Sequence, residues 1–139
     1  MKILVIDGQG GQLGAQLIKE VTARFSEVEI TAVGTNATAT ASMVKAGAKK
    51  VATGENPVIV ACRKADVIIG PIGIVIADAL YGEVTAQMAA AVGRADATRI
   101  LIPVNKCDNL VAGIGDVTMS AMIEDVLMKL EQMIKLNCA

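Results

Sequence analysis

The residues best suited to chemistry lie in one run, Asp7-Gly8-Gln9-Gly10-Gly11-Gln12-Leu13-Gly14, directly after the apolar segment Lys2–Ile6. Glycines at 8, 11 and 14 give the spacing G-x-x-G-x-x-G. Between a strand and a helix, this spacing permits a tight turn and a close approach of backbone to a phosphate. It also aims N–H groups at an anion from the helix N-terminus. The plainer alternative is a glycine turn that serves only tight packing of helix on strand.

Four further clusters follow predicted strands. They are Gly34-Thr35-Asn36, Gly54-Glu55-Asn56, Gly70-Pro71-Ile72-Gly73 and Asn105-Lys106. Thr35 and Asn36 can donate to a sugar or phosphate, and as helix caps they also explain themselves. The fragment Asn105-Lys106-Cys107-Asp108 has the N-K-x-D form of a guanine-reading motif. The chain lacks G-x-x-x-x-G-K-[ST], so it has neither the phosphate-clamping lysine nor the magnesium-binding hydroxyl of a GTPase. Asn105 and Lys106 are therefore read as lining the same crevice as the glycine run. Asp78 and Glu83 are read first as acids that solvate or cap a helix. In a small enzyme acting on a phosphorylated or carboxylated metabolite, Asp78, Glu83 or Lys106 would serve as acid or base.

The rest of the composition narrows the chemistry. The 139 residues include no histidine, no tryptophan, one tyrosine and one phenylalanine. That excludes an imidazole base and any nucleic-acid reader built on stacked aromatics. Hydrophobic residues make up 53%, which excludes a disordered chain, and a net charge of −1 offers no basic field for nucleic acid. Cys62, Cys107 and Cys138 have no metal-ligand spacing and no neighbouring base, so they are read as reduced thiols and no metal site is expected. No signal peptide is read at the N-terminus, and the longest apolar run, Val67–Ala77, is half a bilayer span and broken by glycine and proline. A cytoplasmic protein with no membrane contact is expected.

These side chains need elements to position them. Apolar runs at Lys2–Asp7, Val28–Val33, Lys50–Thr53, Asp66–Gly70 and Arg99–Val104 read as strands. Helical periodicity covers Gln12–Phe25, a segment capped by Asn36 and stopped at Gly47, and Pro57–Lys64 with Asn56 as its cap. It continues through a short helix near Ile74–Leu80, Thr85–Ala95 and Thr118–Leu136. Asn105–Asp116 reads as irregular, or as holding a short strand around Leu110–Ala112. Strands alternating with helices predict an α/β fold, a Rossmann-like doubly wound sandwich with a five-stranded parallel sheet. The nearly all-apolar first strand belongs in the centre, which gives the order 3-2-1-4-5. One domain over residues 1–139 is expected. In such a sheet, ligands bind beyond the carboxyl ends of the strands, where the strand order reverses. Met122, Val126, Leu130, Met133 and Ile134 form the stripe of the last helix. Met128 lies off that stripe, so a homodimer through this helix is an expectation.

Two resemblances add to this reading. The glycine spacing resembles the NAD(P)-binding fingerprint of extended and atypical short-chain dehydrogenase/reductase relatives. In that lineage a residue at the end of the second strand reads the adenosine ribose. Here Gly34-Thr35-Asn36 supplies neither a carboxylate for the diol nor an arginine for a 2′-phosphate. The Tyr-x-x-x-Lys pair of those reductases is also missing, since Thr85 stands four residues after Tyr81. The resemblance therefore implies binding of NAD(P) or another nucleotide more than catalysis.

The segments KILVIDGQGGQLGAQL, AVGTNATATASMVKAGA, ATGENPVIVACRKADVIIGPIGIVIADALYGE and ILIPVNKC resemble a family of small bacterial proteins, mostly from anaerobes, known as a conserved domain of unknown function. That likeness implies a stand-alone cytosolic protein and assigns no ligand. The expected function is that of a nucleotide-binding sensor or accessory domain. A small metabolite enzyme and a non-catalytic oligomeric subunit are the alternatives.

Overall fold

The computed structural model describes residues 1–104 and 108–138. Five parallel strands, β1 (Lys2–Asp7), β2 (Glu29–Gly34), β3 (Lys50–Thr53), β4 (Val67–Pro71) and β5 (Thr98–Ile102), form a sheet in the order β3-β2-β1-β4-β5. The helices are α1 (Gln12–Arg24), α2 (Ala37–Lys45), α3 (Glu55–Cys62), α4 (Ala86–Arg94) and α5 (Met119–Cys138). This is the expected Rossmann-like α/β arrangement, with the predicted strand order. Residues 1–109 form one compact unit, which holds the sheet and α1–α4, and residues 110–139 a second.

The sheet is central because its sequence leaves no other place for it. Ile3, Leu4, Ile6, Ile68 and Ile69 are all fully buried, each stabilising the fold by about 1.5–3 kcal/mol. Leu4, Ile6, Val33 and Ile68 pack with Val58 and Cys62 of α3 and with Met88 and Val92 of α4. The buried stripe Leu13, Leu17, Ile18 and Val21 belongs to α1, which packs beside α2 and its buried Ala39 and Met43. Parallel pairing aligns Asp7 with Gly34, and Thr35 donates its N–H to the carbonyl of Asp7 at 2.9 Å. The ends of β1 and β2 are thereby held side by side.

Three local expectations change. The helix expected over Pro57–Lys64 with Asn56 as its cap begins two residues earlier, at Glu55, because Gly54 takes φ 105° at the N-cap, a conformation open to glycine. Pro57 still lies in the first turn, where its missing N–H leaves no helical bond unmade. The helix near Ile74–Leu80 is instead a 3₁₀ turn, Ile72–Val75, followed by a chain of turns. Asp78, Leu80, Tyr81 and Gly82 all adopt positive φ there, which no right-handed helix tolerates. No strand forms at Leu110–Ala112; those residues are exposed or half-buried and lie in irregular backbone.

In the second unit, the Thr118 hydroxyl caps α5 by accepting the Ala121 N–H at 3.1 Å. The buried positions of this helix are Ile123, Val126, Leu127 and Leu130, so the stripe is rotated relative to the one read from sequence. Met128 lies outside it and is 51% exposed.

Candidate functional site: a donor cluster at the ends of β1 and β2

The loop after β1 is held rigidly from below and from one side. Below it, the Asp7 carboxylate accepts the Gly8 N–H at 2.8 Å on one oxygen and the Gly14 N–H at 2.6 Å on the other. Gly14 has no space for a side chain, since a Cβ would stand 2.7 Å from Met43 Sδ and 2.9 Å from Asp7 Cβ. At the side, Gly11 has φ 73°, and a Cβ there would meet the Ala39 backbone at 2.6 Å. From α2, the Ser42 hydroxyl donates to the Gly10 carbonyl at 2.7 Å and the Asn36 amide donates to the Gln9 carbonyl at 3.0 Å. Tight packing therefore accounts for Gly11 and Gly14. Gly10 is different: it is exposed, and a Cβ there would have only Gln12 Cγ near it, at 4.0 Å. Gln12 and Leu13 open α1, where first-turn N–H groups have no helical acceptor.

Above the loop, three donors converge on one atom. The Gln9 N–H, the Thr35 hydroxyl and the Asn36 amide donate to Glu83 Oε1 at 2.9, 2.7 and 2.6 Å. Asn36 also accepts the Ala39 N–H at 2.8 Å, so the cap of α2 and the donor cluster share one side chain. Glu83 is thus neither a solvating nor a capping residue of a helix, contrary to the sequence reading. It is delivered by the turns after β4. Asp78 belongs to the same turns, exposed and left-handed at φ 65°, and it too is off any helix. The backbone around Glu83 is anchored by Ala79, Leu80 and Val84, which are buried with Leu4, Ile6 and Ile68. Leu80 lies directly over the glycine loop: a Cβ on Gly8 would stand 2.8 Å from Leu80 Cδ1 and 3.1 Å from Glu83 Oε1.

The two carboxylates respond to opposite surroundings. Burial pushes Asp7 above the ordinary aspartate range, against the pull of the Gly14 and Gly8 N–H groups, and the Glu83 charge adds to the rise. Burial also acts to raise Glu83, but the bonds from Thr35, Gln9 and Asn36 outweigh it and hold the carboxyl below its usual range. At neutral pH the cluster carries an ionised Glu83 seated in three donors.

The other predicted residues distribute as follows. Gly8, Gln9, Thr35 and Asn36 come together with Glu83, and Gly10, Gly11, Gln12 and Leu13 continue the loop into α1. Gly70 and Pro71 end β4 beside this loop; a Cβ on Gly70 would run into the carbonyl oxygen of Ile6, which is why the strand approaches β1 so closely there. Ile72 and Gly73 form the 3₁₀ turn and lead to Glu83. Glu55 opens α3, while Asn56 lines a groove of about 550 Å³ with Pro57, Val60 and Val51, on the sheet face beneath α3. Asn105 and Lys106 lie outside the described residues.

Sequence reasoning missed the roles of Asp7 and Glu83. The signal for Glu83 was an absence, the lack of any acid at the end of β2. Among the described residues, no group of three metal-ligating side chains stands close enough to hold an ion, and no helix is long and apolar enough to cross a membrane. Cys62 is buried, and burial pushes its thiol up to about 11, away from the thiolate form.

Among known protein families, the chain matches the domain of unknown function DUF3842 over residues 2–135. The chain belongs to this family. No curated protein and no solved structure matches it. The DUF3842 match spans the glycine loop, the ends of β2 and β4, and Glu83 alike, so the whole donor cluster lies inside the family's domain.

Proposed function

We propose that this DUF3842 protein is a cytoplasmic, non-catalytic sensor or accessory protein that binds a nucleotide-type ligand at the carboxyl ends of β1, β2 and β4. The observation that carries the reading is the convergence of a glycine-loop N–H, a hydroxyl and an amide on one carboxylate oxygen. Through Gln9 and Glu83 the cluster joins the loop after β1 to the turns after β4, the two strands between which the strand order reverses and ligands collect. An acceptor-bearing anion is the chemistry that such a set of donors recognises. With no histidine in the chain and no Tyr-x-x-x-Lys pair, binding has better support than turnover.

A thermal-shift screen against NAD(H), NADP(H), ATP, GTP, coenzyme A and S-adenosylmethionine tests the reading. A ligand at a hundred times its dissociation constant adds about 2.7 kcal/mol, or roughly 9 °C for a chain of this size. Gly10→Leu should abolish that shift while leaving the unliganded melting temperature unchanged, because the space around Gly10 is open. Gly11 cannot serve this purpose, since any side chain there collides with α2.

One observation favours a second reading, a non-catalytic subunit that assembles with itself or a partner. The donors are already satisfied by the chain's own Glu83, which suits a crevice closed for good. On that reading, stability depends on protein concentration and no nucleotide shifts it.

A further inference from the structure

The donors that hold Glu83 have a property that packing alone does not explain. A side chain can be fixed in place by one or two bonds. Here three donors at the junction of the glycine loop and the end of β2 are aimed at one oxygen of one carboxylate: a backbone N–H, a hydroxyl and a primary amide. The three come from two segments that are themselves pinned, by Asp7 under the loop and by the Asn36 cap on α2. The donors are thus a rigid receptor. Their occupant hangs from an anchored backbone by a flexible side chain that is only half-buried.

We propose that the Gln9 N–H, the Thr35 hydroxyl and the Asn36 amide form the recognition site for a phosphate group of the ligand, and that Glu83 fills it as an internal anion until the ligand displaces it. The proposal rests on the reading of this crevice as a ligand site. A phosphate oxygen accepts the same three bonds, so the exchange replaces acceptor by acceptor and loses no donor. Leu80 and Val84 stay buried while the Glu83 carboxylate swings into water, so the moving part is one side chain. The site is competent only in molecules where Glu83 has left, and the apparent affinity falls by that fraction.

The test is calorimetric titration of the wild type, E83Q, E83A and E83A/T35V with inorganic phosphate and with ADP. Circular dichroism and urea unfolding confirm that each variant is folded. E83Q removes the charge and keeps an acceptor on the donors, whereas E83A vacates them. If Glu83 holds the donors in about nine molecules of ten, E83A binds both probes roughly tenfold tighter than the wild type. E83Q should fall between the two, and E83A/T35V should lose most of the gain.

Binding in E83A that is unchanged or weaker overturns the proposal, and weaker binding would make Glu83 a contact of the ligand. A gain of equal size in E83Q that persists in E83A/T35V also overturns it, because relief of charge repulsion would then explain everything. Should E83A not fold, NMR titration of the wild type decides. Phosphate should move the Glu83 carboxyl carbon and the Gln9 amide proton together, and saturation without movement of either overturns the proposal. The nucleotide reading fails separately: phosphate then shows the E83A gain while ADP binds no better than phosphate and Gly10→Leu changes neither.

Discussion

The glycine loop after β1 and the turns after β4 meet at one carboxylate, yet they are built on opposite principles. In the loop, the glycines at 11 and 14 are demanded by crowding, and the backbone is fixed by a buried aspartate. In the turns, the left-handed positions at 78, 80 and 81 fall on Asp, Leu and Tyr, at a steric cost of about 1–2 kcal/mol each. Gly82, beside them, has open space around it. The loop carries one such position, Gln9 at φ 48°, and is pinned from below; the turns carry three and bring a side chain to it. Strain of this kind persists only where surrounding contacts over-determine it, here the burial of Leu80 and Val84 and the bonds made by Glu83.

The sharpest way to break the comparison is Gly11→Val. The substitution places a branched side chain at φ 73° against the Ala39 backbone, so a loss of about 3–5 kcal/mol is expected in urea unfolding. A loss below about 1 kcal/mol would mean that the loop is not fixed by crowding.

Next in size is Asn36→Asp. The cap on α2 survives, because the Ala39 N–H still has its acceptor. The amide donor to Glu83 and to the Gln9 carbonyl is replaced by a second carboxylate. A destabilisation of about 1–3 kcal/mol is expected, smaller in the E83Q background, where the repulsion is absent. Equal losses in both backgrounds would separate Asn36 from Glu83.

The two carboxylates predict opposite pH slopes. Asp7 is raised in the folded state, so its ionisation opposes folding. The stability of the wild type relative to D7N should therefore fall as pH rises from the ordinary aspartate range through the higher folded value. Glu83 is lowered, so its ionised form favours folding. The stability of the wild type relative to E83Q should be full above the ordinary glutamate range and be lost as pH falls through the lower folded value. Parallel slopes in denaturant titrations across the acid range would erase the distinction between the two sites.

The smallest effect is expected for Asp78→Gly, at an exposed left-handed position. Relief of strain is partly offset by the greater freedom of the unfolded chain, for a net change between about 0 and +1 kcal/mol in melting experiments. A clear loss would show that the Asp78 side chain holds the turns together.

The fold was legible because its signals are local or periodic. Strand runs such as Val67-Ile68-Ile69, the stripe on α1, and the Asn36 cap each declare an element within a few residues. The apolar first strand placed itself in the centre of the sheet. The loop half of the candidate site was legible for the same reason, since Gly8–Gly14 and Thr35-Asn36 directly follow strands. Glu83 was not. It lies 74 residues from Gln9 and 48 from Thr35, and it arrives through backbone conformations that Asp, Leu and Tyr seldom adopt. A periodicity argument reads those residues as helix. Asp7 was visible as the acid ending β1, but its bond to Gly14 depends on how α1 turns back over it.

The pairing of β1 with β4 also governs how the chain is made. Ile3 pairs with Val67 and Val5 with Ile69, so the strand at the centre of the finished sheet is synthesised first and has only β2 beside it until some sixty further residues have emerged. Until then one edge of Ile3-Leu4-Val5-Ile6 offers unpaired backbone and apolar side chains to any strand nearby. A nascent chain stalled before Val67, or a fragment cut there, presents this edge permanently. In this protein the vulnerable interval of biogenesis is the time between β2 and β4, and a chaperone that guards the chain would have to act within it.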